Sequence, residues 1–131
     1  GADVLEVKVT ARCFPTEDRA KVVAAISNIF PDFVPEGDDP VAGAARSTEF
    51  FSELLKKQRI RSVARAVMRR GVSGGSVSFT LNKQVATAGK VSFSEEKHAL
   101  GDIEVVISAD DIERFIDEIA PRPGNGGVEG R

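Results

Sequence analysis

The chain has 131 residues and a mass of 14.0 kDa, with 41% hydrophobic and 29% charged residues, an ordinary globular composition that excludes wholesale disorder and fits one domain of the usual ~100–200 residues. Its longest apolar windows, such as Ile103 to Ile107, fall far short of the ~18 residues of a membrane helix, which excludes such a span. The formal charge is −2 with a pI near 5.5, and Gly1-Ala2-Asp3-Val4 has neither the basic nor the apolar region of a secretory leader, so a cytoplasmic protein is expected.

Leu5, Val7, Val9, Ala11 and Cys13 alternate with Glu6, Lys8, Thr10 and Arg12, the period of a strand with one buried face. Pro15 ends it. Thr16 offers a capping hydroxyl, and Glu17 and Asp18 an acidic first turn, to a helix running to about Phe30 and stopped by Pro31. Val22, Val23, Ile26, Ile29 and Phe30 line its apolar side. Pro31 to Pro40 reads as a loop with a short extended piece at Phe33-Val34. From about Ala44 to Arg70 the pattern is helical, but its stripe changes face. Phe51, Leu54 and Leu55 centre roughly 160° away from Ile60, Val63, Ala64, Val67 and Met68, so a break near Lys57 to Arg59 is expected.

Gly71 suits the end of the second helix, and Ser73-Gly74-Gly75-Ser76 a turn. Val77, Phe79 and Leu81 form a strand and Val91 to Phe93 another, while periodicity does not settle Asn82 to Ala88. Ile103, Val105 and Ile107 make the last strand. Asp110 and Glu113 then stand at capping-box spacing before Ile112, Phe115, Ile116 and Ile119, the stripe of a helix that Pro121 terminates. The order is that of an α+β fold, a mostly antiparallel sheet with helices packed on one face. Residues 1–120 are expected to form a single domain, and the Gly- and Pro-rich residues 121–131 a disordered tail.

Six runs look familiar together: Phe14-Pro15-Thr16-Glu17-Asp18, Asn28-Ile29-Phe30-Pro31-Asp32, Leu54-Leu55-Lys56-Lys57-Gln58-Arg59-Ile60, Leu81-Asn82-Lys83-Gln84, Gly89-Lys90-Val91 and Leu100-Gly101-Asp102-Ile103-Glu104-Val105. In this order they resemble an archaeal uncharacterised protein family, family 0201, over nearly the whole chain except its tail. The resemblance implies a fold similar to that of the large-subunit ribosomal protein that holds five-S RNA. It implies no activity, because none is established for the members. Val85 stands where the family block has alanine.

The small net charge conceals a segregation. Residues 46–90 hold ten Lys/Arg against two Asp/Glu, whereas residues 1–45 hold four against eight and residues 91–131 four against ten. Screening over a Debye length of about 8 Å limits what distant acids cancel. On a helix Arg61, Arg65 and Arg69 recur every fourth residue, opposite Ile60, Val63, Ala64 and Val67, so they are expected to point outward. Extended by Arg59, Arg70, Lys83 and Lys90, this face offers nucleic-acid-binding contacts to phosphate without base readout, suited to a structured RNA or a ribonucleoprotein. The chain has no Trp or Tyr, and Phe30, Phe51, Phe79 and Phe115 sit at core positions, so stacking platforms for single strands are scarce. Basic helix faces more often serve structure. The alternative is therefore a face salt-bridged within the protein, or a homodimer in which it meets Asp110 to Glu118 of a second copy.

Other constellations are weaker. Asn82-Lys83-Gln84 beside Gly89-Lys90 suits an anion or a base edge, but asparagine at a strand end more often satisfies backbone groups. His98, with Glu95, Glu96 and Asp102 nearby, is the lone histidine, too few for a zinc site. The lone Cys13 fits a small buried hydrophobe better than a nucleophile, and the Gly-rich runs lack the context of a phosphate loop. A non-enzymatic protein without cofactor or metal is expected.

Overall fold

The computed structural model describes residues 5–38, 40–94 and 102–121. In chain order the elements are β1 (Leu5–Ala11), α1 (Arg19–Ser27), β2 (Val34–Glu36), β3 (Val41–Ala45), α2 (Glu49–Gln58), α3 (Arg61–Arg70), β4 (Val72–Ser73), β5 (Ser76–Leu81), α4 (Lys83–Thr87), β6 (Ile103–Ala109) and α5 (Ile112–Ile119). The strands make one sheet ordered β2-β3-β1-β6-β5-β4, antiparallel at every pairing. The α+β architecture read from the sequence is the one the chain adopts.

Period-two alternation decides which face is covered. Val7, Val9 and Ala11 of β1, Val77, Phe79 and Leu81 of β5, and Ile103, Val105 and Ile107 of β6 are buried, because they project to the side on which the helices lie. Glu6, Lys8, Glu104 and Val106 project to the other side and are exposed. Under the helices Phe51 sits at the centre of an aromatic group, 5.4 Å from the Phe30 ring and stacked 5.7 Å from Phe79, with Phe93 edge-on to both Phe51 and Phe79. Offset and edge-on rings of this kind favour burial beyond their area alone.

The expected break between two helices falls at Arg59, the residue separating α2 from Ile60 and α3. Elsewhere the structure corrects the pattern. Ala44 and Ala45, expected to begin a helix, instead end the strand Val41–Ala45: it pairs with β1 from Val7↔Ala45 to Ala11↔Val41, and this long-range pairing overrides the helix preference of alanine. Helix α1 starts at Arg19 with Asp18 as its cap, the carboxylate accepting from the Ala20 N–H at 3.0 Å. Thr16 lies in the preceding turn, and the Glu17 side chain accepts from the Phe14 N–H. Helix α5 is capped by Asp111, which accepts from the Arg114 N–H, so the Asp110–Glu113 box does not form.

Asn82 to Ala88 holds α4, with Asn82 as its cap. Val91 to Phe93 contributes a single bridge, Leu81↔Phe93, and not a further strand. Cys13 is half-buried beyond the end of β1. The outermost strands are β2, with Pro35 at its centre opposite Gly43, and the two-residue β4. His98, Glu95, Glu96 and the tail from 122 lie outside the described residues.

Candidate nucleic-acid interface

Helix α3 presents its arginines differently from the expected outward stripe. Ala64 and Met68 are fully buried while Val63 is 51% exposed, so the buried side of the helix is displaced from the centre of the predicted stripe, away from Val63 and toward Arg61 and Arg65. Arg61 and Arg65 are both half-buried, and Arg65 faces α5. The Arg65 guanidinium donates to Asp117 Oδ1 at 2.6 Å and to the Ala120 carbonyl at 3.1 Å, with 13% of the side chain exposed. Arg69 pairs with Glu113. Periodicity places these arginines on one face but is silent about what packs against it. The acids within Asp110 to Glu118 that a second copy was expected to supply for Arg65 and Arg69 are supplied by the same chain.

Lys83 is also taken up internally. Its ammonium donates to the Arg12 carbonyl at 2.8 Å and to both Glu17 carboxylate oxygens at 3.0 and 3.1 Å, and Phe14 lies beneath it with the ring centroid 5.6 Å away. Its neighbour Asn82 accepts from the Val85 N–H, the backbone-satisfying role expected for asparagine there.

Three exposed cations remain together at the corner where α2 meets α3. The Gln58 carboxamide grips the backbone of Val91 from both sides, Oε1 accepting from its N–H at 2.7 Å and Nε2 donating to its carbonyl at 2.8 Å. Lys57 and Arg59 flank Gln58 in the chain, and Lys90 precedes Val91. The clamp therefore sets the backbones of Lys57, Arg59 and Lys90 beside one joint, each residue exposed and each with its charged end unpaired among the described residues. Arg59 and Lys90 belong to the predicted set, and Lys57 does not. The signal for it was the acid-free run Lys56-Lys57-Gln58-Arg59. Arg70 is exposed at the opposite end of α3, about 15 Å along its axis.

Several of the runs that carried the family resemblance make long-range contacts. Gln58 grips Val91 and Lys83 binds Glu17, each joining two of the runs, while Asn28 donates to the Ala86 and Thr87 carbonyls and Asp32 accepts from the Arg46 and Ser47 N–H groups, outside them. A family model described as RNA binding matches residues 6–109. A UPF0201 protein of Methanocaldococcus jannaschii is 40% identical over 131 residues, covering 93% of this chain and 76% of that protein. The chain belongs to the archaeal UPF0201 family.

Another UPF0201 protein, from Methanothermobacter thermautotrophicus, is 42% identical over 120 residues, covering 88% of this chain and 91% of its own length. A UPF0200/UPF0201 protein of Archaeoglobus fulgidus is 40% identical over 126 residues, and there the chain spans only 39% of the longer relative. The crystal structure of a UPF0201 protein from Methanococcus jannaschii superposes with a TM-score of 0.86 at 39% identity, covering 94% of this chain and 98% of the other. A DUF54 protein from Methanothermobacter thermautotrophicus shares the fold at a TM-score of 0.68 and 20% identity, covering 90% and 98% of the two chains. No helix of the described residues is long and apolar enough to cross a membrane. No cluster of three metal-ligating His, Cys, Asp or Glu side chains occurs among them.

Proposed function

We propose that this UPF0201 protein binds structured RNA, in a non-enzymatic role, by holding the phosphate backbone at the α2–α3 corner with Lys57, Arg59 and Lys90. The observation that carries this reading is that these three exposed cations flank one joint with no carboxylate partner among the described residues. The RNA-binding family model spans the same residues, and the expected likeness to the ribosomal protein that holds five-S RNA points the same way. Arg65, Arg69 and Lys83 support the fold instead.

Aromatic placement sets the kind of RNA. Phe30, Phe33, Phe51, Phe79 and Phe115 are buried, so unstacked bases find few platforms, and a duplex or stem is recognised by the spacing of its phosphates. Filter binding of a stem-loop RNA over a salt series tests this. Three phosphate contacts give a slope of log K against log salt of about −2 to −3, and the triple change Lys57→Gln, Arg59→Gln, Lys90→Gln should flatten it at unchanged stability. Binding that ignores salt, or that survives the triple change in full, would remove the proposal.

A further inference from the structure

We propose that Arg59 is the anchor of this interface, an RNA phosphodiester-binding residue held in a left-handed backbone conformation that sets the direction in which its side chain leaves the corner. This deepens the RNA reading and rests on it. Arg59 has φ 58° and ψ 44°. The other described residues with positive φ are Gly37, Gly74 and Gly89. An L-residue there brings its Cβ against the following carbonyl, which is why glycine is favoured.

The backbone explains the conformation but not the side chain. The Arg59 N–H donates to the Lys56 carbonyl at 3.1 Å and the Ile60 N–H reaches back to the Leu55 carbonyl at 3.0 Å. This closes α2 in the manner for which glycine is the usual residue. Glycine would make both bonds without the clash. Arginine gains no internal contact in exchange, since its side chain is exposed and its guanidinium has no hydrogen-bond or ion-pair partner among the described residues. A residue that strains the backbone and returns nothing to the fold is explained by an external ligand.

The surroundings favour phosphate as that ligand. Gln58 on one side of Arg59 is locked to Val91, and Leu55, whose carbonyl the next residue binds, is fully buried. The root of the arginine is therefore preorganised, which lowers the entropy lost on binding. A planar guanidinium donates two parallel hydrogen bonds to phosphate oxygens, whereas the flanking Lys57 and Lys90 act as point charges.

The test is to measure stability and RNA affinity together on Arg59→Gly, Arg59→Lys and, as a control on the open sheet face, Lys8→Gln, using a fluorescent stem-loop RNA and urea unfolding. Arg59→Gly is expected to raise the unfolding midpoint while weakening RNA binding about tenfold, near the ~1.4 kcal/mol of one charge-assisted contact. Arg59→Lys should weaken binding severalfold without raising the midpoint, and Lys8→Gln should change neither. If Arg59→Gly gains stability and keeps its affinity, the anchor assignment is lost while RNA binding through Lys57 and Lys90 stands. A fall in stability would show that the side chain serves the fold, which also overturns the anchor. Absence of binding by the unaltered protein would remove the RNA reading itself.

Discussion

Lys83 and Glu17 form an ion pair in which only 7% of the lysine side chain and 18% of the glutamate side chain are exposed. The pair joins the first turn of α4 to the turn before α1, across 66 positions of sequence. With the Arg12 carbonyl as a third acceptor, every proton of the ammonium has a partner, which is the condition under which a buried charge is tolerated.

Lys83→Met therefore strands a carboxylate and a carbonyl in a poorly hydrated place. The expected loss of unfolding free energy is about 3 kcal/mol, measured by urea titration at neutral pH. Adding Glu17→Gln to Lys83→Met should recover a large part of it, because no lone charge is then left. RNA affinity of the folded variant should be unchanged, and a selective loss of affinity would return Lys83 to the interface.

Arg65 and Arg69 have the same chemistry and different surroundings. Arg65, 13% exposed, holds both Asp117 and the Ala120 carbonyl, so Arg65→Gln should lower stability by about 2 kcal/mol. Arg69 and Glu113 are each about half exposed, and a pair in contact with water contributes under ~1 kcal/mol and weakens with salt. Chemical denaturation at low and high salt separates them. Equal losses, or a salt-sensitive Arg65, would contradict the assigned burial.

Gly71 caps α3 with an ordinary negative φ of −95°, yet a Cβ there would run into the Ser78 carbonyl, which lies where the chain leaves the helix for the edge of the sheet. Gly71→Ala should cost about 1–3 kcal/mol through this overlap. Gly75→Ala, whose Cβ would meet the Ala109 carbonyl at an ordinary 3.6 Å, should melt within a few degrees of the parent. Thermal unfolding of the two variants side by side decides it, and equal melting would mean that the contact at Gly71 yields easily.

Alternation and the helical period revealed the parts of this fold that depend on which side of an element meets the core. β1, β5, β6, α5 and the break at Arg59 were legible for that reason. β3 was not, because Ala42, Gly43, Ala44 and Ala45 carry too little side chain to show a period, and their strand conformation comes from pairing with β1. The candidate interface was legible only as a composition. A surplus of arginine and lysine marks residues 46–90, but which of them are neutralised depends on α5 and on the turn before α1, both remote in sequence. Among the cations left unpaired by the described residues, Lys57, Arg59 and Lys90 are set apart from Arg46 by a hydrogen-bonded joint between Gln58 and Val91, a contact that no local pattern encodes.

Pro35 removes an N–H from the middle of one outer strand, and the strand at the opposite margin is two residues long. Neither border offers the run of amide donors and acceptors on which a foreign strand could zip. Protection against fibrillar self-assembly is thus written into the rim of the sheet.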